Sequence, residues 1–194
     1  MTNDIQNTPE FQPWGKTPRW SGIAMTATEK LDGTNALVHV TDDGRVLAGS
    51  RNRWLTPGKT SDNYGFAAWV TENAVELAKL GAGWHYGEWW GQGVGRGYGV
   101  EGRTFSLFDT RRFGAHNPNT PSCCSVVPKL YEGLLVDPMS VLAPLMASGS
   151  VAAPGFMRPE GIIILLHQTG QRFKLLAEKH NEPKWVRGES SPCE

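Results

Sequence analysis

A lysine at position 30 stands in the run Glu29-Lys30-Leu31-Asp32-Gly33-Thr34-Asn35, among acidic, polar and glycine residues and between two segments that read as strands. A half-buried lysine there is a poor structural choice and a good nucleophile. An amine gives up its proton more readily when it is desolvated or set beside a second cation. Further polar side chains recur at or beside strand ends: Arg51, Glu88, Glu160 and Lys174. Carboxylates such as Glu88 and Glu160 suit a magnesium ion, which takes hard oxygen ligands. Arg51 and Lys174 suit phosphate oxygens. Taken singly, each has an ordinary reading as well: a solvent-facing hairpin lysine, a strand acid beside two tryptophans, a strand-opening turn at Glu160-Gly161.

The elements that must position these groups are mostly strands. Alternation marks a strand over 23–30, a second over 36–40 and a third over 45–49, with Asp42-Asp43-Gly44 as a hairpin turn. The spacing predicts an antiparallel meander of these three. Gly33 supplies either a tight turn or a close backbone approach. The best helix covers 62–80, capped by Ser61 or Asp62, with Phe66, Trp69, Val70, Ala74, Leu77 and Leu80 on one face. Strands follow at 84–90 and 104–109, separated by a glycine-rich loop over 91–102. Residues 110–125 read as irregular, with a short strand near Val126 and Val127. Asp137-Pro138 opens a helix that Pro144 shortens or kinks. A final hairpin pairs 160–166 with 172–176. The whole is an α+β domain of mostly antiparallel sheets with flanking helices. It divides into an N-terminal arm (1–22) packed on the domain through Phe11, Trp14 and Trp20, a domain over 23–176, and a short C-terminal tail (177–194).

Composition excludes several classes. Lys+Arg and Asp+Glu number 19 each, so binding to nucleic acid by bulk charge alone is not expected, though a local basic groove is compatible. Three cysteines, two of them adjacent, make neither a disulfide framework nor a zinc site. No apolar run has the length of a membrane span and Met1-Thr2-Asn3-Asp4 does not open a signal peptide, so a cytoplasmic setting is expected. The glycine-rich loop is no P-loop, and no dinucleotide-binding unit, Gly-x-Ser-x-Gly or His-Glu-x-x-His is present.

The order of the elements is more specific than any one of them. Lys30-Leu31-Asp32-Gly33 matches the nucleophile motif of the covalent nucleotidyltransferases, lysine–any–aspartate–glycine. Ser50-Arg51-Asn52-Arg53, Tyr86-Gly87-Glu88-Trp89-Trp90-Gly91, Phe105-Ser106-Leu107-Phe108-Asp109, Glu160-Gly161-Ile162-Ile163 and Arg172-Phe173-Lys174 resemble that family's later motifs, in order. The chain thus resembles ATP-dependent RNA ligases, DNA ligases and mRNA capping guanylyltransferases. Gly33-Thr34-Asn35 makes it look most like compact RNA ligases of bacteriophage type. One departure stands out. The last motif usually has two lysines one residue apart. Here either Arg172 and Lys174 fill both positions, or Lys174 fills the first and Leu176 replaces the second.

The resemblance implies a nucleotidyltransferase (ATP-grasp-like ligase adenylation-domain) fold with an ATP pocket between two antiparallel sheets. It implies that Lys30 attacks the α-phosphorus of ATP, leaving AMP on the lysine, before AMP passes to a 5′-phosphate and a 3′-hydroxyl displaces it. By the same resemblance Arg51 touches the AMP phosphate or the RNA end, and Glu88 takes the ribose hydroxyls. Phe108, rather than Phe105, stacks on adenine, and Glu29 contacts adenine by backbone or side chain. Asp32 and Gly33 complete the nucleotide site. Glu160, with Glu88, places magnesium or manganese. Lys174, with Arg172, contacts the α-phosphate, and Asn35 serves the sealing step. The implied partners are ATP and RNA ends, nicked or broken or in an RNA–DNA hybrid; the short tail and zero net charge make an accessory protein a further candidate partner. A capping-type guanylyltransferase using GTP and a non-catalytic nucleotide- or RNA-binding protein of the same fold are the alternatives. Arg96, Arg111 and Arg112 are further candidates for phosphate contacts.

Overall fold

Strand patterning resolves into two sheets, one on each side of a cleft. The structure, a computed structural model, describes residues 10–17, 19 and 22–178. The first sheet takes β1 (Ala24–Lys30), β8 (Lys129–Leu134), β9 (Gly161–Leu166) and β10 (Arg172–Leu176) in the order β10-β9-β1-β8, all antiparallel. The second takes β2 (Thr34–Val40), β3 (Val46–Ser50), β4 (Trp54–Leu55), β5 (Gly83–Gly91), β6 (Arg103–Leu107) and β7 (Cys124–Val126) in the order β4-β3-β2-β5-β6-β7. Only β6 and β7 run parallel. The α+β class with mostly antiparallel sheets is as expected.

The expected three-strand meander is not formed. β1 is hydrogen-bonded on both edges, by β8 and β9, which leaves no edge for β2. Instead Leu31-Asp32-Gly33 carries the chain from the first sheet to the second. The short strand expected near Val126 and Val127 is β7, which starts at Cys124 and stops at Val126, and a further strand, β8, follows at Lys129–Leu134.

The expected helix over 62–80 is broken into α1 (Phe66–Glu72), α2 (Ala74–Leu77) and a 3-10 turn (Ala78–Leu80). Tyr64 and Gly65 have positive φ, so helical geometry begins only at Phe66. Asp62 still caps it, its carboxylate accepting from the N–H groups of Ala67 (2.7 Å) and Ala68 (3.1 Å). The break falls at Asn73, whose side-chain amide donates to the Trp69 carbonyl (2.8 Å) that its own N–H also uses. The helix after Pro138, α3 (Met139–Ser148), continues past Pro144 to Ser148. That proline is exposed, so the carbonyl it leaves without a donor can meet water.

Each sheet buries its outer face. Val38, Trp89, Phe105 and Leu107 of the second sheet pack on Phe66, Val70, Leu77 and Leu80. Met25, Ala27, Ile162 and Ile164 of the first pack on Leu142 and Leu145 of α3. A third cluster of Leu31, Trp90, Tyr98, Val127 and Ala153 sits beneath the crossing between the sheets. Phe11 and Trp14, expected as anchors of the N-terminal arm, are 74% and 84% exposed, and Trp20 lies outside the described residues. Among the described residues no helix is long and apolar enough to cross a membrane.

Phe66 is fully buried, with its ring centroid 5.4 Å from that of Trp89 and 5.3 Å from that of Phe105. Phe66→Ala should cost about 3–5 kcal/mol of unfolding free energy. Urea denaturation of the two proteins checks this. A loss below about 1 kcal/mol would show that the cluster is not the anchor of α1.

Candidate active site

Alternation along β1 sends Thr26, Thr28 and Lys30 into the cleft and Met25, Ala27 and Glu29 to the other side. Lys30 is the last residue of β1 and about one-fifth exposed, so its side chain stands at the cleft floor without being sealed off. It donates to Glu160 Oε2 at 2.6 Å. Glu160 is itself only 17% exposed, which makes this the least solvated ion pair among the described residues. Glu160 immediately precedes β9, and β9 pairs with β1 so that Gly161 lies opposite Lys30. The pair follows directly from that register.

The two residues after Leu31 are held by backbone contacts. Asp32 N–H donates to the Tyr98 hydroxyl (2.8 Å) and Gly33 N–H to Glu88 Oε1 (3.0 Å). The Asp32 carboxylate accepts from Arg96 Nε at 3.1 Å. Gly33 is a close approach rather than a tight turn. A Cβ there would stand 2.4 Å from the Trp89 carbonyl oxygen and 2.7 Å from Trp90 Cβ. The glycine-rich loop presses on the same crossing, since a Cβ on Gly95 would meet the Asp32 carbonyl oxygen at 2.2 Å.

A cavity of about 560 Å³ lies between the sheets, lined by Lys30, Asn35, Arg51, Glu88, Phe108, Arg172 and Lys174, with Glu29 and several β1 and β9 side chains completing its walls. Seven of the predicted site residues, far apart in sequence, thus face one space. Phe108 is 43% exposed there, whereas Phe105 is fully buried in the core, which leaves Phe108 as the ring able to stack on a base. Arg51 donates to Asn35 Oδ1 at 3.3 Å. Asn35 is paired in register with Glu88, so the candidate for the sealing step and the candidate for the ribose hydroxyls lie on neighbouring strands.

Asp32 and Gly33 do not line this cavity, and Arg96 is tied to Asp32 and Glu178. These residues set the crossing in place. The Glu29 side chain is also turned away. It is 1% exposed, and its Oε2 accepts from the N–H groups of Val151 (2.9 Å) and Ala152 (3.0 Å). Any contact of Glu29 with a base is therefore left to its backbone. Tyr98 is the part of the site that sequence reasoning missed. Its one signal was an aromatic residue inside a loop of glycines.

On the cleft face of the first sheet, side chains fall in rows. Thr26, Leu165 and Arg172 form one, Thr28, Ile163 and Lys174 the next, and Lys30, Gly161 and Leu176 the last. Both Arg172 and Lys174 line the cavity, while Leu176 occupies the row of the nucleophile candidate. For a metal, the described residues offer no cluster of three or more His, Cys, Asp or Glu side chains. Glu88 and Glu160 suit a hard divalent ion that draws its remaining ligands from phosphates and water, which is how magnesium commonly binds.

Burial raises the Glu88 carboxyl from about 4.5 to about 7, against the pull of Lys30 and of the Gly33 N–H. Between those values the folded protein keeps a proton that the unfolded chain has released, so stability falls as pH rises through this window and levels above it. The fall should be about 1–3 kcal/mol. Urea midpoints of the ligand-free protein, measured from pH 4.5 to pH 8, should show it. Glu88→Gln should flatten the slope, and an unchanged slope would assign the effect elsewhere.

A family model described as RNA ligase matches residues 24–175. Among solved structures, the Naegleria gruberi RNA ligase with pyrophosphate is similar at a TM-score of 0.58 and 23% identity, covering 80% of this chain and 50% of that one. A mutant of that ligase with AMP and manganese gives 0.57 and 19%, covering 80% and 50%. Another, with ATP and manganese, gives 0.57 and 18%, covering 87% and 53%. The chain spans about half the length of these ligase chains. At such identities the likeness shows a common fold. No curated protein is a significant match. The family model runs from the first strand nearly to the end of the last, and the chain belongs to the RNA ligase family.

Proposed function

We propose that this protein is an ATP-dependent RNA ligase that joins a 5′-phosphate to a 3′-hydroxyl through a lysyl-AMP intermediate. The observation that carries this reading is the single cavity in which Lys30 meets Glu88, Phe108, Arg51, Asn35, Arg172 and Lys174. In the first step the Lys30 amine attacks the α-phosphorus of ATP. An N–P bond forms, the P–O bond to the β-phosphate breaks, and pyrophosphate leaves. The lone pair must be free for this, so the proton that Lys30 shares with Glu160 has to depart first, and the Glu160 carboxylate is placed to receive it. Arg172 and Lys174 offset charge on the phosphoryl oxygens. Glu88 meets the ribose hydroxyls, and its pKa of about 7 lets it donate or accept at neutral pH. Phe108 stacks on the base. Magnesium, or manganese in its place, supplies further charge neutralisation when bound, held by Glu160 and Glu88.

The AMP then passes to the 5′-phosphate of an RNA end, and a 3′-hydroxyl displaces it. Arg51 and Asn35, bonded to each other at the cavity rim, are placed for the RNA end in these two steps. The reading carries with it a cytoplasmic setting, of the host if the ligase is of bacteriophage type. A second reading has one observation in its favour. Leu176, not a cation, shares the row of Lys30. A binding protein of this fold would hold ATP there and make no adduct.

Incubation with ATP, magnesium, a 5′-phosphorylated RNA and a 3′-hydroxyl RNA should give a joined strand, and GTP should not replace ATP. Lys30→Ala should lose this joining by at least about a thousandfold. The variant should keep joining a strand that is already adenylylated, because that substrate bypasses the first step. Sealing by the variant at the wild-type rate with ATP would overturn the role of Lys30. Adenylylation with GTP in place of ATP would point to a guanylyltransferase.

A further inference from the structure

The cleft face of the second sheet continues past the nucleotide cavity as a shelf of exposed aromatic rings. Strand register places Trp54, Gly49, Leu37 and Tyr86 in one row, and Phe108 extends it, its N–H bonded to the Tyr86 carbonyl at 3.0 Å. The next row outward holds His39 and Trp84. Trp54, Trp84 and Tyr86 are 51%, 53% and 57% exposed, whereas Val38, Trp89 and Phe105 on the reverse face are buried in the core. The rings also brace one another. Trp84 lies 4.3 Å from His39 and 5.6 Å from Trp54, centroid to centroid. A run of large exposed aromatics is costly in water and marks an interaction surface.

Its surroundings specify the partner. A second cavity, of about 830 Å³, adjoins the first and shares Phe108 and Arg172 with it. Trp84, Tyr86, Arg111 and Arg112 line it as well, and so does Asp109, whose carboxylate accepts from the N–H groups of Arg111 and Arg112. Side chains two residues apart on a strand stand about 7 Å apart, far enough for Trp84 and Tyr86 to take separate bases. Exposed aromatics on a sheet with arginines alongside are what a single-stranded polynucleotide requires, because bases stack on the rings and the cations meet phosphates. A folded duplex offers no base faces to such a shelf.

We propose that Trp54, Trp84 and Tyr86, with Arg111, form a track for the single-stranded RNA segment next to the end being joined, leading it to the cleft at Phe108. This rests on the ligase reading and adds to it the form of the substrate. The shelf also reconciles a formal net charge of zero with RNA binding, because stacking needs no excess of cations.

The test measures anisotropy of a short labelled single-stranded RNA with the full chain, together with intact mass after incubation with ATP and magnesium. Trp84→Ala should weaken RNA binding about tenfold, and the Trp54→Ala/Trp84→Ala double variant more, while adenylylation by ATP stays at the wild-type level. Trp84→Phe, which keeps a stacking face, should remain within about threefold of wild type. Arg111→Gln should lower the salt dependence by about one counterion. If the wild type forms the adduct but binds no RNA, or the double variant binds as tightly as wild type, the track is overturned and the Lys30 reading stands. If the track variants lose RNA binding in a protein that forms no adduct, the track stands and the Lys30 reading fails.

Discussion

The passage of the chain from one sheet to the other, over the three residues Leu31, Asp32 and Gly33, is the constraint on which the site depends. A connection this short between two sheets allows no slack, and each of its parts is fixed. Leu31 is buried with Trp90 and Tyr98, Asp32 is held through its N–H and its carboxylate, and the Gly33 N–H is bonded to Glu88. The crossing therefore fixes where β1 ends and β2 begins, and with them the positions of Lys30 and Asn35. Its closeness requires glycine, because the Trp89 backbone occupies the space where a Cβ would stand. The glycine-rich loop belongs to the same device. Its Tyr98 hydroxyl reaches Asp32, and burial pushes that hydroxyl's pKa up, which keeps it neutral beside the carboxylates.

At the start of this crossing Lys30 stands near two carboxylates, Glu160 and Glu88. Glu160 takes a hydrogen bond from Lys30 directly, while burial raises the Glu88 carboxyl to about 7, so that it is only partly ionised at neutrality. The arrangement leaves the cleft with Arg172 and Lys174 at its rim and little fixed negative charge free to repel a triphosphate. Glu160 fixes the Lys30 head group by a hydrogen bond, and the cations Arg172 and Lys174 supply the field that favours an incoming anion. In the proposed reading the same two carboxylates would serve a divalent ion alongside phosphates.

Much of this was legible in the sequence because it is carried by local signals. Lys30, Glu88 and Phe108, named from local motifs, meet at one cavity, and Glu160 reaches Lys30 from the strand opening beside it, while Asp32 and Gly33 lie outside that cavity. Strand positions were mostly right within a residue or two, since alternation is a local property. Most of what failed was non-local. The meander was wrong because pairing depends on which edges are already taken, and β8 and β9, over one hundred positions later, take both edges of β1. The direction of the Glu29 side chain followed from that same register. The helix break at Asn73 came from a side chain competing for a backbone acceptor, which periodicity does not register. Tyr98 was hidden because its role is to hold a backbone N–H in a different segment.

The measurement that bears most directly on the account is the mass of the intact protein after ATP and magnesium, followed by mapping of the modified peptide. The account predicts an increase by one adenylyl group, labile to acid as a phosphoramidate is, located on Lys30 and reversed by added pyrophosphate. An unmodified protein, shown to be folded and free of AMP beforehand, or an adenylyl group on any residue other than Lys30, would contradict it.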